Sequence, residues 1–434
     1  MYQPQFEGMA RPDLERLQID RLKTVVRRVY DNVPHYRTAF DEAGVSPDIT
    51  DLGDVARLPF TLKDDLRAAY PYKLFAVPLR DIVRVHASSG TTGQITVVGY
   101  TRNDIDNWAD LMARTFASAG GTADDVIQVT YGYGLFTGGL GAHYGSERLG
   151  AVTIPLSGGN TKRQVQVMQD FGTTMLACTP SYAVLIAETA ADMGVDIKSL
   201  PLRAGVFGAE PWSENMRVQI QDMMGISAID IYGLSEVLGP GVASECSQQH
   251  GLHVNEDHFL IEIVDSETLE PVPDGQYGEV VFTTLTKEGI PVIRYRTRDI
   301  SRIIPGECSC GRTFRRMERI TGRSDDMIII RGVNVFPSQI EQVLTGIPGV
   351  APHYQVILGK SGSMDTVAVH VEVAPDTDFD EIRELETLQR RVKGEIESAL
   401  AVSIGVKLVE PKSIARSEGK AKRVVDLRAQ QEGE

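Results

Sequence analysis

Cysteine is scarce here: four residues in 434, too few for the disulfide framework on which small secreted domains depend. Long apolar runs are missing as well. No stretch approaches the ~18 uninterrupted apolar residues of a membrane span, and residues 1–16 have no apolar core of signal-peptide length. Positive charge is in deficit, with 44 Lys and Arg against 59 Asp and Glu and a formal net charge of -15. Nucleic acid and anionic membrane both demand a basic face, so neither is expected as a partner. These absences lead to the expectation of a cytoplasmic protein. Such basic charge as exists is local, Lys412, Arg416, Lys420, Lys422, Arg423 and Arg428 standing against Glu418 and Asp426.

The chain is too long for one compact core, and two or three domains are expected. Leu14, Leu17, Leu22, Val25, Val26 and Val29 form a helical stripe that ends near Pro34. Short β-like runs follow at 126–129, 151–154, 174–178, 203–207 and 228–231, with helical segments at 161–171, 181–193 and 213–224. That alternation implies crossover units, hence an α/β fold of mainly parallel, helix-covered sheets whose ligands sit beyond the carboxyl ends of the strands. After Gly251 the pattern turns β-rich, with strands at 259–264 and 279–284. A last α+β unit of about 110 residues starts near Asp325, a plausible size for an independent domain. The expected division is a large N-terminal domain, 1–324, with a β-rich subdomain at about 252–324, and a small C-terminal domain, 325–434.

Ser88-Ser89-Gly90-Thr91-Thr92-Gly93 lies between two strand-like runs. Its glycines let backbone N–H groups approach an anion and its hydroxyls can donate to phosphate oxygens. The spacing is not that of a Walker loop, and an ordinary polar hairpin connection is the bland alternative. Four further segments carry chemistry-grade residues: Tyr232-Gly233-Leu234-Ser235-Glu236, Tyr295-Arg296-Thr297-Arg298-Asp299, Gly322-Arg323-Ser324-Asp325-Asp326 and Ser417-Glu418-Gly419-Lys420. Each has its own bland alternative: Glu236 as a helix N-terminal acid, Asp299 as half of an ion pair with Arg298, Lys420 as a solvated charge. It is their conjunction and order that point to one site.

Together with Tyr131-Gly132-Tyr133-Gly134-Leu135-Phe136-Thr137-Gly138-Gly139, Phe207-Gly208-Ala209-Glu210-Pro211 and Arg331-Gly332-Val333-Asn334-Val335-Phe336-Pro337, these segments resemble the adenylate-forming acyl-CoA synthetases. The resemblance spans essentially the whole chain and is strongest to the aryl-CoA ligase branch. It implies an ATP-dependent ligase that activates an aryl carboxylic acid, phenylacetate first among them, as an acyl-adenylate and transfers it to CoA. It also implies a mobile C-terminal domain hinged at Asp325, and a homodimer.

By the same resemblance, Ser88 to Gly93, with Thr91 catalytic, hold phosphates, and Glu236 serves Mg²⁺, a hard cation suited to oxygen donors. Ser235 contacts the α-phosphate. Gly208, Ala209, Glu210, Pro211, Asp230, Ile231 and Tyr232 surround the adenine, Gly233 belongs to the same ATP/AMP site, Asp299 takes the ribose hydroxyls, and Arg323 reaches ribose or phosphate. Lys420 bridges carboxylate and α-phosphate in the first half-reaction only. Tyr131, Phe136, Gly138, Ala209, Tyr232 and Pro240 are implied for the acyl pocket, where aromatic walls separated by small residues suit a flat ring. Transfer to a carrier protein instead of CoA, or nucleotide binding without catalysis, are the competing expectations. Independently of the resemblance, Cys246, His253, Cys308 and Cys310 make a ligand set for a structural Zn²⁺, although His250 competes with His253 and free thiols remain the alternative. Cys178, in an apolar stretch, is expected simply to be packed.

Overall fold

The structure, a computed structural model, describes residues 1–88, 95–325, 328–330, 333–361, 364–375, 377, 382–400, 404–419 and 421–427, with main chain only at 329, 330, 333, 334, 360, 361, 364 and 365. The long helix Arg11–Asn32 has proline in its first turn, where a missing N–H costs nothing, and stops before Pro34. It buries Leu14, Leu22, Val25, Val26 and Val29, as the periodicity requires, but Gln18 as well. Gln18 enters the core because its Nε2 donates to the Glu256 carbonyl at 2.8 Å, which satisfies the buried amide.

A nine-stranded sheet organises the molecule. One half is parallel, with Val152–Pro155, Val126–Val129, Met175–Cys178, Ala204–Gly208 and Ser227–Leu234 side by side in that order. Helices Thr161–Phe171, Pro180–Asp192 and Glu214–Met224 form the crossovers, and Tyr182, Phe207, Met216 and Ile220 belong to the buried cluster beneath them. Past Ser227–Leu234 the pairing turns antiparallel through Gly239–Ser244, Leu252–Val254, Arg316–Met317 and Ile303–Ile304.

The β-rich stretch is therefore shared between two sheets. Phe259–Val264, Gly278–Thr284, Tyr295–Ser301 and Gly322–Arg323 build a separate antiparallel sheet, while three short strands of the same stretch extend the large one. An antiparallel pair, Arg84–Ser88 with Thr96–Tyr100, precedes the large sheet. Toward the C-terminus, Val350–Ser361 and Met364–Val373 form a long hairpin flanked by the parallel strands Val424–Asp426 and Gly405–Val409. The last region has its own core, in which Ile340 and Leu344 of Pro337–Leu344 and Val392 and Ile396 of Ile382–Leu400 meet Val356, Val369 and Val371. Among the described residues, no helix is long and apolar enough to cross a membrane.

Candidate active site

Strands Ala204–Gly208 and Ser227–Leu234 run parallel with Gly208 opposite Ile231. A Cβ on Gly208 would stand 2.3 Å from the Ile231 carbonyl oxygen, so only glycine allows the two backbones this approach. The next residue, Ala209, takes φ 70°, in the left-handed region, and turns the chain away from the sheet. A cleft of about 150 Å³ opens there, at the carboxyl ends of the strands. Ala209, Glu210, Pro211, Asp230, Ile231, Tyr232, Gly233, Asp299 and Arg323 line it, so most residues expected around a nucleotide meet in one place.

Trp212 and Arg319 line the same cleft and were not among the expected residues. Trp212 Nε1 donates to Asp230 Oδ1 at 2.9 Å, and Arg319 Nε lies 3.2 Å from Asp230 Oδ2. The Arg319 guanidinium also sits 4.6 Å from the Trp212 ring centroid, within cation–π range. Burial, with Glu245 close by, pushes the Asp230 carboxyl well above the usual carboxylate range. Trp212 had a sequence signal, directly following the Phe207 to Pro211 motif; Arg319 had none, because only folding brings it to Asp230.

Asp299 is not paired with Arg298, whose nearest acid is Glu279 at 3.5 Å. Instead Tyr232 OH donates to Asp299 Oδ2 at 2.6 Å and Arg323 Nη1 to Oδ1 at 3.1 Å. Arg323 also grips Asp325 through Nε at 2.9 Å and Nη2 at 3.0 Å. One guanidinium thus joins the expected ribose acid to the expected hinge.

Glu236 lies in the turn between Ser227–Leu234 and Gly239–Ser244, not at a helix start. Glu236 is buried, 4 % exposed, and has the Lys63 ammonium 3.3 Å from Oε1. The buried Lys287 ammonium donates to the Glu236 carbonyl at 3.4 Å and lies 4.9 Å from the Tyr100 ring centroid. Burial pushes Lys287 down to about 8, against the pull of Asp104 and Glu236. Neither lysine belongs to a recognisable motif, so the sequence carried no sign of either. Ser235 Oγ is 3.1 Å from Thr137 Oγ1. Ser88 Oγ, at the end of its strand, is buried with no hydrogen-bond partner among the described residues. Ser89, Gly90, Thr91, Thr92, Gly93 and Lys420 lie outside the described residues.

Phe136, Gly138 and Pro240 gather at the start of helix Thr137–Leu149: a Cβ on Gly138 would meet the Phe136 ring at 2.5 Å, and one on Gly141 would meet Pro240 Cγ at 2.8 Å. Phe136 is 42 % exposed. Tyr131 is buried, its hydroxyl donating to the Val206 carbonyl at 3.4 Å.

Cys246, His253, Cys308 and Cys310 converge with their ligand atoms all within 4.8 Å of one another. Cys246 Sγ and Cys308 Sγ are 3.8 Å apart, and Cys310 Sγ is 3.4 Å from His253 Nε2. Zn–S bonds of about 2.3 Å in a tetrahedron give an S···S edge of about 3.8 Å, so the donor set fits zinc. His253 Nδ1 points at the Phe314 carbonyl at 3.4 Å, which leaves Nε2 facing the thiols. Burial pushes His253 down to about 4, keeping the ring neutral as a ligand must be. His250 is excluded from the set, with Nδ1 2.9 Å from Arg316 Nη1. Cys178 is fully buried in the core, as expected.

Against known proteins, residues 15–285 match the AMP-binding enzyme family, and residues 332–428 match the AMP-binding enzyme C-terminal domain. The chain belongs to the AMP-binding enzyme family. It is an adenylate-forming ligase. It is 51% identical to the phenylacetate-coenzyme A ligase of Aromatoleum evansii, covering 97% of this chain and 96% of that one. To the phenylacetate-coenzyme A ligase of Escherichia coli (strain K12) it is 52% identical, with coverages of 96% and 95%. Among solved structures, 2-hydroxyisobutyryl-CoA ligase in its postadenylation state, complexed with 2-HIB-AMP, superposes with a TM-score of 0.93 at 30% identity, covering 98% of this chain and 92% of that one. The same ligase with 2-HIB-AMP and CoA in the thioesterification state gives 0.73 at 31% identity, with coverages of 99% and 94%. Fold, identity and coverage barely change between the two, so the difference lies in how the parts are placed. This chain superposes better on the first of them.

Proposed function

We propose that this ligase activates phenylacetate with ATP and passes the acyl group to CoA. The observation that carries the reading is identity of about half to phenylacetate-coenzyme A ligases along nearly the whole chain. In the first half-reaction a substrate carboxylate oxygen attacks the α-phosphorus, the bond to the β-phosphate oxygen breaks, and pyrophosphate leaves. In the second the CoA sulfur attacks the acyl carbon and AMP leaves, the thiol proton passing to solvent.

In this reading the adenine enters the cleft, and Asp230, held by Trp212 and Arg319, fixes one wall of it. Asp299 exchanges Tyr232 and Arg323 hydrogen bonds for those of the ribose diol. Lys63, at Glu236, supplies positive charge next to the polyphosphate, and Lys287 steadies the Glu236 main chain. Glu236 is a hard oxygen donor and fits Mg²⁺, which when bound neutralises phosphate charge. Lys420 delivers a compact charge between carboxylate and α-phosphate. Tyr131, Phe136, Gly138 and Pro240 shape the aryl pocket. Release of pyrophosphate from ATP with a panel of carboxylic acids, each with and without CoA, tests the reading. Turnover with phenylacetate that requires CoA is expected. Activity confined to aliphatic acids, or transfer only to a carrier protein, would overturn it.

The four convergent ligands are proposed to hold structural Zn²⁺, tying the Gly239–Ser244 end of the large sheet to the turn at Cys308. Elemental analysis of protein expressed in zinc-replete medium is expected to give about one zinc per chain, and chelation to lower the melting temperature, because metal bound only by the folded state stabilises it. Protein purified essentially free of zinc would leave the cluster as four free side chains.

A further inference from the structure

Lys420 has neighbours whose main chain is firmly held. The Gly419 carbonyl accepts from Thr179 Oγ1 at 3.0 Å and lies 3.3 Å from Ser181 Oγ, whose proton goes to Glu210. On the other side, the Ala421 N–H donates to Glu210 Oε2 at 2.7 Å. The other Glu210 oxygen accepts from the Ser181 N–H at 2.9 Å and from the Ser181 hydroxyl. Glu210, which also lines the cleft, therefore spends its carboxylate on Ser181 and Ala421. One residue earlier, Glu418 lies against Gly158 and Gly159. A Cβ on Gly158 would stand 2.9 Å from the Glu418 carbonyl oxygen, and that oxygen belongs to backbone, which cannot rotate away as a flexible side chain does. Three separate elements of the N-terminal region thus contact one four-residue segment: the loop after Val152–Pro155, the start of helix Pro180–Asp192 and the turn after Ala204–Gly208.

We propose that Gly158, Thr179, Ser181 and Glu210 form a dock for the main chain on either side of Lys420 and are positioning residues for the adenylation half-reaction. The proposal rests on the adenylating role given to Lys420 above. Fixing a lysine over a reacting group costs both main-chain and rotamer freedom, and a peptide anchored on both sides removes the main-chain part of that cost before substrate arrives. The dock is made of groups that read only backbone. It binds the segment whatever its side chains are, and it lets go as a unit when the C-terminal region changes place. Glu210 has a particular part in this: its carboxylate gives a charge-assisted acceptor to a peptide N–H, a stronger bond than a neutral acceptor makes. Gly158 supplies the space.

The two half-reactions separate this role from a structural one. Adenylation is read as ATP–pyrophosphate exchange with phenylacetate, and thioester formation as conversion of supplied phenylacetyl-AMP by CoA. Gly158→Ala, whose φ lies outside the left-handed region so that alanine is not strained there, is expected to slow exchange at least tenfold and leave thioester formation within about twofold. Ser181→Ala and Thr179→Val are expected to follow the same split, and they carry the test should Gly158→Ala fold poorly. Thioester formation at the normal rate is itself the proof of folding. Added to Lys420→Ala, Gly158→Ala is expected to cost no further exchange activity, because the dock acts through that lysine. Equal losses in both half-reactions, or undiminished exchange in all three dock variants while Lys420→Ala abolishes it, would overturn the dock alone. Exchange surviving in Lys420→Ala would instead overturn the reading of Lys420.

Discussion

Asp299 shows how much one side chain does at this site. Tyr232 and Arg323 bond its two oxygens, so the carboxylate is already aimed for the ribose proposed to bind it. Asp299→Asn keeps the shape but loses the charge that both partners answer. It is expected to raise the KM for ATP at least tenfold, equivalent to about 1.4 kcal/mol of binding, with thermal stability nearly unchanged; an unaltered KM would remove Asp299 from the nucleotide site. His258 makes the opposite case, a titratable group set by burial. Its Nδ1 lies 2.7 Å from Thr286 Oγ1, and desolvation pushes the ring down to about 4 although Asp257 pulls it up. The unfolded chain takes up this proton near 6.5 and the folded chain only near 4, so below 6.5 protons favour the unfolded state. Stability contributed by the neutral ring is therefore present above pH 6.5 and lost as pH falls toward 4. In denaturant melts across that range, His258→Gln is expected to lose stability at high pH but to show a shallower fall with acid. A slope identical to the parent would assign the acid sensitivity elsewhere.

At the scale of elements, helix Arg102–Ser118 is tied to the active site by its own cap. Thr101 and Asp104 form a capping box, and the same Asp104 carboxylate accepts from the Glu288 and Gly289 N–H groups at 2.7 and 2.9 Å. The hairpin that carries Lys287 behind Glu236 is thus hung on a helix N-terminus. Asp104→Ala strands three backbone donors, the Thr101 N–H included, in a site with no solvent access to the side chain. Each buried unsatisfied donor costs about 1–3 kcal/mol. A loss on the order of 3 kcal/mol or more is expected in urea unfolding, and one below about 1 kcal/mol would mean that water replaces the carboxylate. The crossover elements were legible because residues 126–231 repeat a plain apolar pattern: Val126–Val129 and Thr161–Phe171 fall where the periodicity puts them. The division of the β-rich stretch was not legible. Phe259–Val264 is a strand the sequence predicts and Leu252–Val254 is not, and which sheet each one joins depends on partners elsewhere in the chain, Gly278–Thr284 for the first and Arg316–Met317 for the second.

For the whole molecule, the placement of the C-terminal region is held by a few polar ties. Glu188 meets His353 at 2.7 Å and Arg416 at 3.4 Å, Lys412 meets Asp192 at 2.7 Å, and the Ser213 N–H donates to Glu341 at 2.9 Å. The exposed Lys412–Asp192 pair contributes about 1 kcal/mol or less, in keeping with the mobility expected of this region. Glu188→Ala is accordingly expected to reduce adenylation only a few-fold, to spare thioester formation, and to enlarge the radius of gyration seen by solution X-ray scattering. No change in either rates or scattering would show that this tie does not hold the placement. The sequence by itself determined the family, the alternating core of the large sheet and most residues around the cleft, because glycines at close approaches and apolar periodicity are local properties written in consecutive residues. Only the tertiary structure decided that Lys63 and Lys287 flank Glu236, that Trp212 and Arg319 hold Asp230, that His253 rather than His250 faces the thiols, and that Glu210 grips Ala421. Each of these is a meeting of distant segments, and charge, hydrogen bonding and space at such a meeting exist only once the backbone has brought them together.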